Sequence, residues 1–380
     1  MPYTVGSCGD VSTAAIIYQA QRKWFYANGR HWVFYSNGSN IGYKSSSDLI
    51  NWTDFTVIGP TTYGNRISIY WDGRYIHYVR TETTNPVKYR KGIPNSNGTI
   101  TWYSDEVTVD SDKNAKGSST ITMDSDGYIW LAYIGGVGAK PRIVKSTALD
   151  GSTWDSPVEI DSSSPSGFGI AIILSLSNNK MYCIYSYISN TIPYLVGKLY
   201  NGSKWDTDAT ILYYPILNNN MYSALSYQGK IYVGFNQLSS PYTNYLMIYD
   251  ENTTNWSSPI TVENNSSYIS SSGIPEIVRH NDILYIFWES YGKIYYRTYS
   301  NNQIHSRIYW INDNIITYSL ASYDHSIKGM IAMLWIKGGS YNVRIDYLAT
   351  PCPVCGEDIS IINISGRPMC LSCGYDWSMQ

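Results

Sequence analysis

Four cysteines carry the clearest chemical signal in this sequence. Cys352 and Cys355 form one Cys-x-x-Cys pair, Cys370 and Cys373 form another, and fourteen residues separate the pairs. A glycine follows each pair (Gly356, Gly374), which allows the tight turn that aims backbone amides at thiolate sulfur. Four thiolates close a tetrahedral site, so the expected cofactor is Zn2+ in a structural role. A redox pair or two disulfides are the competing readings. Cys8 and Cys183 stand alone, and Cys183 lies in the apolar run MYCIYSY, where a buried inert thiol is expected. The five histidines are scattered without metal-ligand spacing.

A second set of residues becomes visible through the hairpins. Tight-turn pairs recur at Asn28-Gly29, Asp72-Gly73, Asp126-Gly127, Asn178-Asn179, Gln228-Gly229, Asn281-Asp282 and, more weakly, His325-Ser326. Counting six residues back from each turn marks Arg22, Arg66, Thr120, Ile172, Tyr222, Pro275 and Ser319 as equivalent. Glu276 and Arg279 lie beside the sixth of these positions. Arg22, Arg66, Tyr222, Glu276 and Arg279 are therefore the candidate ligand-binding residues, ringing one sector of a common mouth. Arginine suits carboxylate ligands because its planar fork donates two parallel hydrogen bonds. One carboxylate, Glu276, is too few for ordinary glycoside hydrolysis, which needs two, so no catalytic residue is assigned. A polar channel whose charges pair with one another is the simpler expectation.

The elements that must position these groups are strands. Each hairpin is flanked by runs rich in β-branched and aromatic residues, and Asn-Gly between such runs is the strongest short hairpin signal. The unit from Trp24 to Trp52 reads as a meander of about four strands. Its closing Trp recurs at Trp102, Trp154, Trp205 and Trp256, at spacings of 50, 52, 51 and 51 residues. In the sixth unit Ile308 stands where the Trp would fall. Four strands per period of about 50 residues indicate a β-propeller. The expected fold is all-β: seven four-stranded antiparallel blades over residues 1–349, then a small C-terminal unit over 350–380. The seventh turn is the weakest, so six or eight blades stay open. The seventh unit has three strand runs and no fourth. An open edge invites aggregation, so the N-terminal segment is expected to supply the missing outer strand.

The turns before each closing Trp read YKSSSDLINW (43–52), KSTALDGSTW (145–154), YNGSKW (200–205) and YDENTTNW (249–256). They resemble the Asp-box, or bacterial-neuraminidase repeat, of sialidase-like propellers, and the Ser-x-Asp-Leu-x-x-Trp turns of other glycosidase propellers. The resemblance implies that Asp and Ser or Thr brace a tight turn while the Trp packs between blades, away from the catalytic mouth. Asp48 and Asp150-Gly151 sit about one place off the usual spacing, and later copies lose the Asp. As architecture the resemblance spans about 350 residues; as sequence it covers only these motifs. It implies that mouth arginines clamp a carboxylate, and that Tyr222 with Glu276 would be the nucleophile pair. The acid/base Asp such an enzyme needs has no inner-strand candidate, and Asp10 enters only if ring closure brings it to the mouth. The cysteine tail is similar to zinc ribbons. Its one basic residue, Arg367, points to docking or oligomerisation rather than nucleic acid.

Composition narrows the function. The formal net charge is -2 and only 15% of residues are charged, which excludes a surface built on phosphate contacts. The chain has 38 Tyr and 13 Trp, residues that suit half-wet strands and surfaces that bind sugars or proteins. No apolar run reaches the roughly 20 residues of a membrane span, and MPYTVGSCGD lacks the pattern of a secretory signal. A thiolate site needs a reducing compartment. The reading that joins these points is a non-enzymatic recognition or decoration protein. It is made in the cytoplasm and placed on a virus or phage particle. The propeller mouth takes a glycan or protein, and the ribbon docks a protein partner or a second copy. The alternatives are a sialidase-like glycoside hydrolase and an intracellular protein-interaction scaffold.

Overall fold

A computed structural model describes residues 2–8, 20–60, 66–82, 85–111, 118–161, 169–216, 222–237, 241–269, 273–315, 320–325, 329–349, 361–364 and 367–370. The strands form seven antiparallel blades. From the centre outward, blade 1 runs Trp24–Ala27, Arg30–Ser36, Ile41–Ser46 and Thr56–Gly59. Blade 2 runs Ile67–Trp71, Ile76–Glu82, Asn85–Pro94 and Val107–Asp110, and Ile100–Trp102 adds to its third strand. Blade 3 runs Thr120–Met123, Ile129–Gly135, Lys140–Lys145 and Val158–Glu159, and blade 4 Ile172–Ser175, Met181–Ser189, Ile192–Tyr200 and Thr210–Tyr213. Blade 5 runs Tyr222–Tyr227, Lys230–Asn236, Asn244–Asp250 and Ile260–Glu263, and blade 6 Glu276–His280, Ile283–Ser290, Lys293–Ser300 and Ile308–Asn312. Among the described residues no helix is long and apolar enough to cross a membrane.

Blade 7 is assembled from both ends of the chain. Met330–Lys337 and Asn342–Ala349 are joined at the outside by Tyr3–Ser7. Tyr3 pairs with Ile345 and Ser7 with Asn342. Arg344 Nη2 donates to Pro2 O at 2.8 Å, and the Cys8 amide donates to Tyr341 O at 2.9 Å. The innermost position belongs to Ala321, whose amide and carbonyl bond Leu334 at 3.1 and 2.8 Å. The expected N-terminal closure is thus present, carried by Tyr3–Ser7. The sequence also reads Ala14 to Tyr18 as a possible strand, and that stretch lies outside the described residues.

Two turn chemistries make the first hairpins. Asn28-Gly29, Asn178-Asn179 and Gln228-Gly229 have positive φ at both residues, as a two-residue primed turn requires. Blades 2 and 3 differ: only Gly73 and Gly127 are left-handed. There a carboxylate replaces the backbone geometry. Asp72 Oδ1 accepts from Arg74 N at 2.7 Å, and Asp124 Oδ1 accepts from Tyr128 N at 2.8 Å. In blade 2 the bracing carboxylate is the Asp of the Asp-Gly pair itself, whereas in blade 3 it is Asp124, two residues before Asp126-Gly127.

Large side chains fill the spaces between neighbouring blades. Trp130, Ile143 and Ala171 pack between blades 3 and 4; Tyr222, Leu195 and Tyr249 pack between blades 4 and 5. Val278, Phe287 and Trp335 pack between blades 6 and 7. Burying whole Trp and Tyr side chains this way is the main favourable term. The closing Trp residues take part: Trp154 stacks edge-on to Tyr89 of blade 2 at 5.0 Å. Gly151 is demanded by the same approach, since it has φ +73° and a Cβ there would meet the Tyr89 ring at 2.4 Å.

The innermost strands are also sewn together by polar bonds. Lys23 N donates to Ser322 O at 3.2 Å (blades 1 and 7) and Ile69 N to Arg22 O at 3.2 Å (blades 2 and 1). Thr120 Oγ1 donates to Ala171 O at 2.9 Å and accepts from Ile173 N at 3.1 Å, bridging blades 3 and 4. Ser223 does the same for blades 5 and 6, donating to Pro275 O at 2.8 Å and accepting from Ile277 N at 3.1 Å. A small hydroxyl residue at these positions satisfies strand amides that have no ladder partner inside the ring.

Candidate functional site

The inner strands surround a channel whose lining includes Arg22 (blade 1), Ser68 (blade 2), Thr120 (blade 3), Ile172 (blade 4), Ser223 (blade 5), Glu276 (blade 6) and Asp324 (blade 7). Small residues on most blades let seven strands converge. The space left for the centre of a water molecule is about 20 Å³, close to what one water needs.

Arg22 is the strut of this channel. Its Nη1 donates to Ile121 O at 2.7 Å on blade 3, and its Nη2 pairs with Asp324 Oδ2 on blade 7. The guanidinium also lies 5.3 Å from the Tyr70 ring and 5.4 Å from the Tyr323 ring. Tyr323 is fixed in turn, because its hydroxyl accepts from Trp71 N at 2.7 Å and donates to Trp71 O at 3.1 Å. One side chain thus ties blades 1, 2, 3 and 7. Burial opposes the charge on Arg22, but the Asp324 carboxylate outweighs it and holds the arginine above its usual value. Asp324 is likewise penalised by burial, yet Arg22 and His325 keep it ionised far below the carboxylate range. His325 Nδ1 lies 2.8 Å from Asp324 Oδ1.

Glu276 faces the opposite balance. It is 3% exposed, and its Oε2 has no hydrogen-bond partner among the described residues. Burial first, and the Asp324 charge second, push its pKa well above the ordinary value. Ionising it therefore costs more in the folded protein than in the unfolded chain, where it ionises near pH 4.3. A raised folded value means its stabilising share is whole below about pH 4.3 and is lost as pH climbs toward the folded pKa. Glu276→Gln is expected to remove that loss. Denaturant midpoints should converge between wild type and variant at pH 4–5. At pH 7–8 the variant should be the more stable, the gap widening by up to about 1.4 kcal/mol per pH unit. Parallel pH profiles would show that Glu276 ionises in the fold.

The five candidate mouth residues separate into groups. Arg22 and Glu276 line the channel together. Arg66 immediately precedes the inner strand of blade 2 and is half-buried. Arg279 lies farther along the blade 6 strand, its guanidinium 3.8 Å from the Tyr227 ring of blade 5. Tyr222 is fully buried in the wall between blades 4 and 5, where its hydroxyl donates to Ile170 O. Burial drives that phenol above its ordinary pKa. Asp324, absent from the sequence reading, supplies the second channel carboxylate. Lys23 was missed as well. It is buried, its Nζ donates to Gln21 Oε1 at 2.9 Å and to Ile67 O, and burial lowers its pKa well below normal.

The likeness to known structures is one of fold. A PL25 ulvan lyase solved bound to -[GlcA(1-4)Rha3S]- superposes with a TM-score of 0.58 at 10% identity, covering 89% of this chain and 95% of that one. The polysaccharide lyase Uly1 gives 0.55 at 9% identity, with 87% and 90% covered. AofleA from Arthrobotrys oligospora gives 0.51 at 11% identity, with 79% and 88% covered. No protein-family model matches the chain, and no curated protein matches it in sequence.

Metal-ligating groups of three or more are absent among the described residues. Three of the four tail cysteines, Cys352, Cys355 and Cys373, lie outside those residues. The backbone between the two pairs forms a hairpin of Ile361–Ile364 with Arg367–Cys370, so Cys370 ends a strand.

Proposed function

We propose that this protein is a non-enzymatic recognition module whose propeller binds a glycan and whose cysteine tail docks it to a larger assembly. The state of the channel supports this most directly. Its arginine already clamps an internal carboxylate, and its glutamic acid is buried beside a space the size of one water. A sialidase-like site would instead leave arginines open to a substrate carboxylate. The ulvan lyase of similar fold was solved bound to -[GlcA(1-4)Rha3S]-, which supports a sugar ligand for this propeller. Retention of the full chain on a panel of immobilised glycans, without change in glycan mass, is the expected result. No retention on any glycan would overturn the reading.

The turns before the closing Trp residues are read as Asp-box-like braces. Asp48 Oδ1 accepts from Ile50 N at 2.9 Å and Asn51 N at 2.7 Å, and Trp52 Nε1 donates to Leu49 O at 2.9 Å. Asp150 with Ser152 N (3.0 Å) and Trp154 Nε1 with Gly151 O (2.9 Å) repeat the pattern.

The tail is read as a zinc ribbon. Two Cys-x-x-Cys pairs flanking a hairpin are a donor set that suits Zn2+, which would supply the stability so short a segment lacks. Protein purified under reducing conditions should carry one zinc per chain by elemental analysis, and Cys355→Ser should lower the retained zinc at least tenfold against a competing chelator. Zinc-free protein with four reactive tail thiols would contradict this. Assembly in a reducing compartment and use outside it fit a virus or phage particle, where the ribbon would contact a particle protein.

A sugar-cleaving enzyme is the second reading, and one observation favours it. Glu276 and Asp324 share the channel with pKa values pushed in opposite directions, the pattern of an acid with a base.

A further inference from the structure

A cleft of about 450 Å³ opens between blades 3 and 4, away from the central channel. Its floor is Trp130 and Ile143, both buried; Tyr200 and Trp205 wall it, and Asp155 and Lys204 stand exposed at its rim. The three rings converge, with centroids 5.1 Å apart for Trp130–Tyr200, 5.4 Å for Tyr200–Trp205 and 6.4 Å for Trp130–Trp205.

The next blade junction provides a control. Between blades 4 and 5 the equivalent rings are Tyr182, Tyr249 and Trp256, at 5.1, 5.6 and 5.4 Å. There Trp256 Nε1 donates to the Tyr182 hydroxyl at 3.0 Å, so its polar atom is satisfied inside the protein. Trp52 and Trp154 give theirs to turn carbonyls, both at 2.9 Å. At the blade 3–4 junction Trp130 takes the place of Tyr182 and offers no hydroxyl. Its own Nε1 is committed to Asp124 Oδ2 at 2.8 Å. The Trp205 indole N–H has no hydrogen-bond partner among the described residues.

The charges at the cleft select the ligand. Lys145 is already paired with Asp124 Oδ2 at 3.2 Å and lies 5.1 Å from the Trp130 ring. That leaves one carboxylate, Asp155, and one ammonium, Lys204, whose charges cancel. A uronate, sulfate or phosphate would be drawn by Lys204 and repelled by Asp155. A neutral sugar ring meets every feature. Its C–H face packs on aromatic carbon, and its hydroxyls donate to the carboxylate and accept from the ammonium and the indole. The volume lies within the range of small-molecule sites.

We propose that this cleft binds one neutral pyranose unit of a glycan, with Trp205 donating its indole N–H to a ring hydroxyl and Asp155 and Lys204 holding neighbouring hydroxyls. The proposal rests on the glycan-binding reading and moves the ligand from the channel to a blade junction.

The test uses the full chain labelled with ¹⁵N-tryptophan and titrated with the methyl glycosides of galactose, mannose, glucose and N-acetylglucosamine. The Trp205 indole signal is the one missing in Trp205→Phe. It should shift with at least one glycoside, and affinity for that glycoside should fall about tenfold in Trp205→Phe and in the surface variant Asp155→Ala/Lys204→Ala. Glycoside binding that moves other indoles and leaves Trp205 unshifted would overturn this site while glycan binding stands. Glycan-panel retention with no response to any methyl glycoside would overturn the single neutral sugar. No binding by either method would overturn the site and the glycan reading together.

Discussion

Deleting residues 1–8 lowers the melting temperature by roughly 5–10 °C and makes the protein prone to aggregate. The strand Tyr3–Ser7 is the outer strand of blade 7, paired from Tyr3–Ile345 to Ser7–Asn342. Its removal forfeits several ladder hydrogen bonds, each worth about 1 kcal/mol net. It also exposes what Val5 buries at 2% exposure, about 1.5–3 kcal/mol. A loss near 5 kcal/mol spread over the unfolding entropy of a domain this size gives a shift of that order. The deletion further bares the edge of Asn342–Ala349, a template for pairing between molecules. Differential scanning fluorimetry with light scattering reads both effects. A melting temperature within a degree of wild type would show that the ring does not depend on its N-terminal strand.

Replacing Arg22 by Ala is expected to cost about 3 kcal/mol. The Arg22 and Asp324 side chains are 13% and 20% exposed, so the pair falls toward the buried end of the range for broken ion pairs. The substitution also removes the Ile121 hydrogen bond and the two ring contacts. Among the described residues, Asp324 would then keep only His325 as a salt-bridge partner. The pH dependence carries a signature. A depressed carboxyl stabilises the fold above the unfolded pKa near 3.9, and that share is lost as pH falls toward the folded value. The Arg22→Ala variant should therefore lose its advantage over acid conditions, with a flatter stability profile between pH 5 and 2. Arg22→Met/Asp324→Leu, which removes both charges together, should cost less than Arg22→Ala alone. Urea midpoints check all three variants, and a single-variant cost below 1 kcal/mol would contradict the role of Arg22 as strut.

The period was legible because a propeller repeats one hairpin and one closing Trp, and both leave residue types that local geometry demands. Asn28-Gly29 and Gln228-Gly229 needed left-handed backbone, and Trp52 to Trp256 needed a place between blades. The N-terminal closure was legible from a missing strand in the seventh unit. Less was legible at the channel. Arg22, just before the first inner strand, was found by counting back from its turn, and Glu276, which starts the sixth, lies next to the counted Pro275. Asp324 was hidden because, among the described residues, the seventh inner position pairs with the next strand only through the bridge of Ala321 to Leu334, and the count from the weak His325-Ser326 turn lands on Ser319. Nothing local distinguishes Tyr222, a fully buried phenol, from a tyrosine open to the mouth; only the packing of blade 4 against blade 5 decides it. The hydroxyl clasps at Thr120 and Ser223 were illegible for the same reason, since their partners lie about 50 residues away on the next blade.

The most direct test of a non-enzymatic glycan-binding propeller is to incubate the full chain, purified under reducing conditions with zinc added, with a broad set of soluble oligosaccharides and polysaccharides. Bound and released sugars are then read together by mass spectrometry. Retention of intact glycans with no new fragments is the predicted result. Fragments that gain water, or unsaturated fragments that do not, would contradict it, and their disappearance in Glu276→Gln would assign the cleavage to the channel.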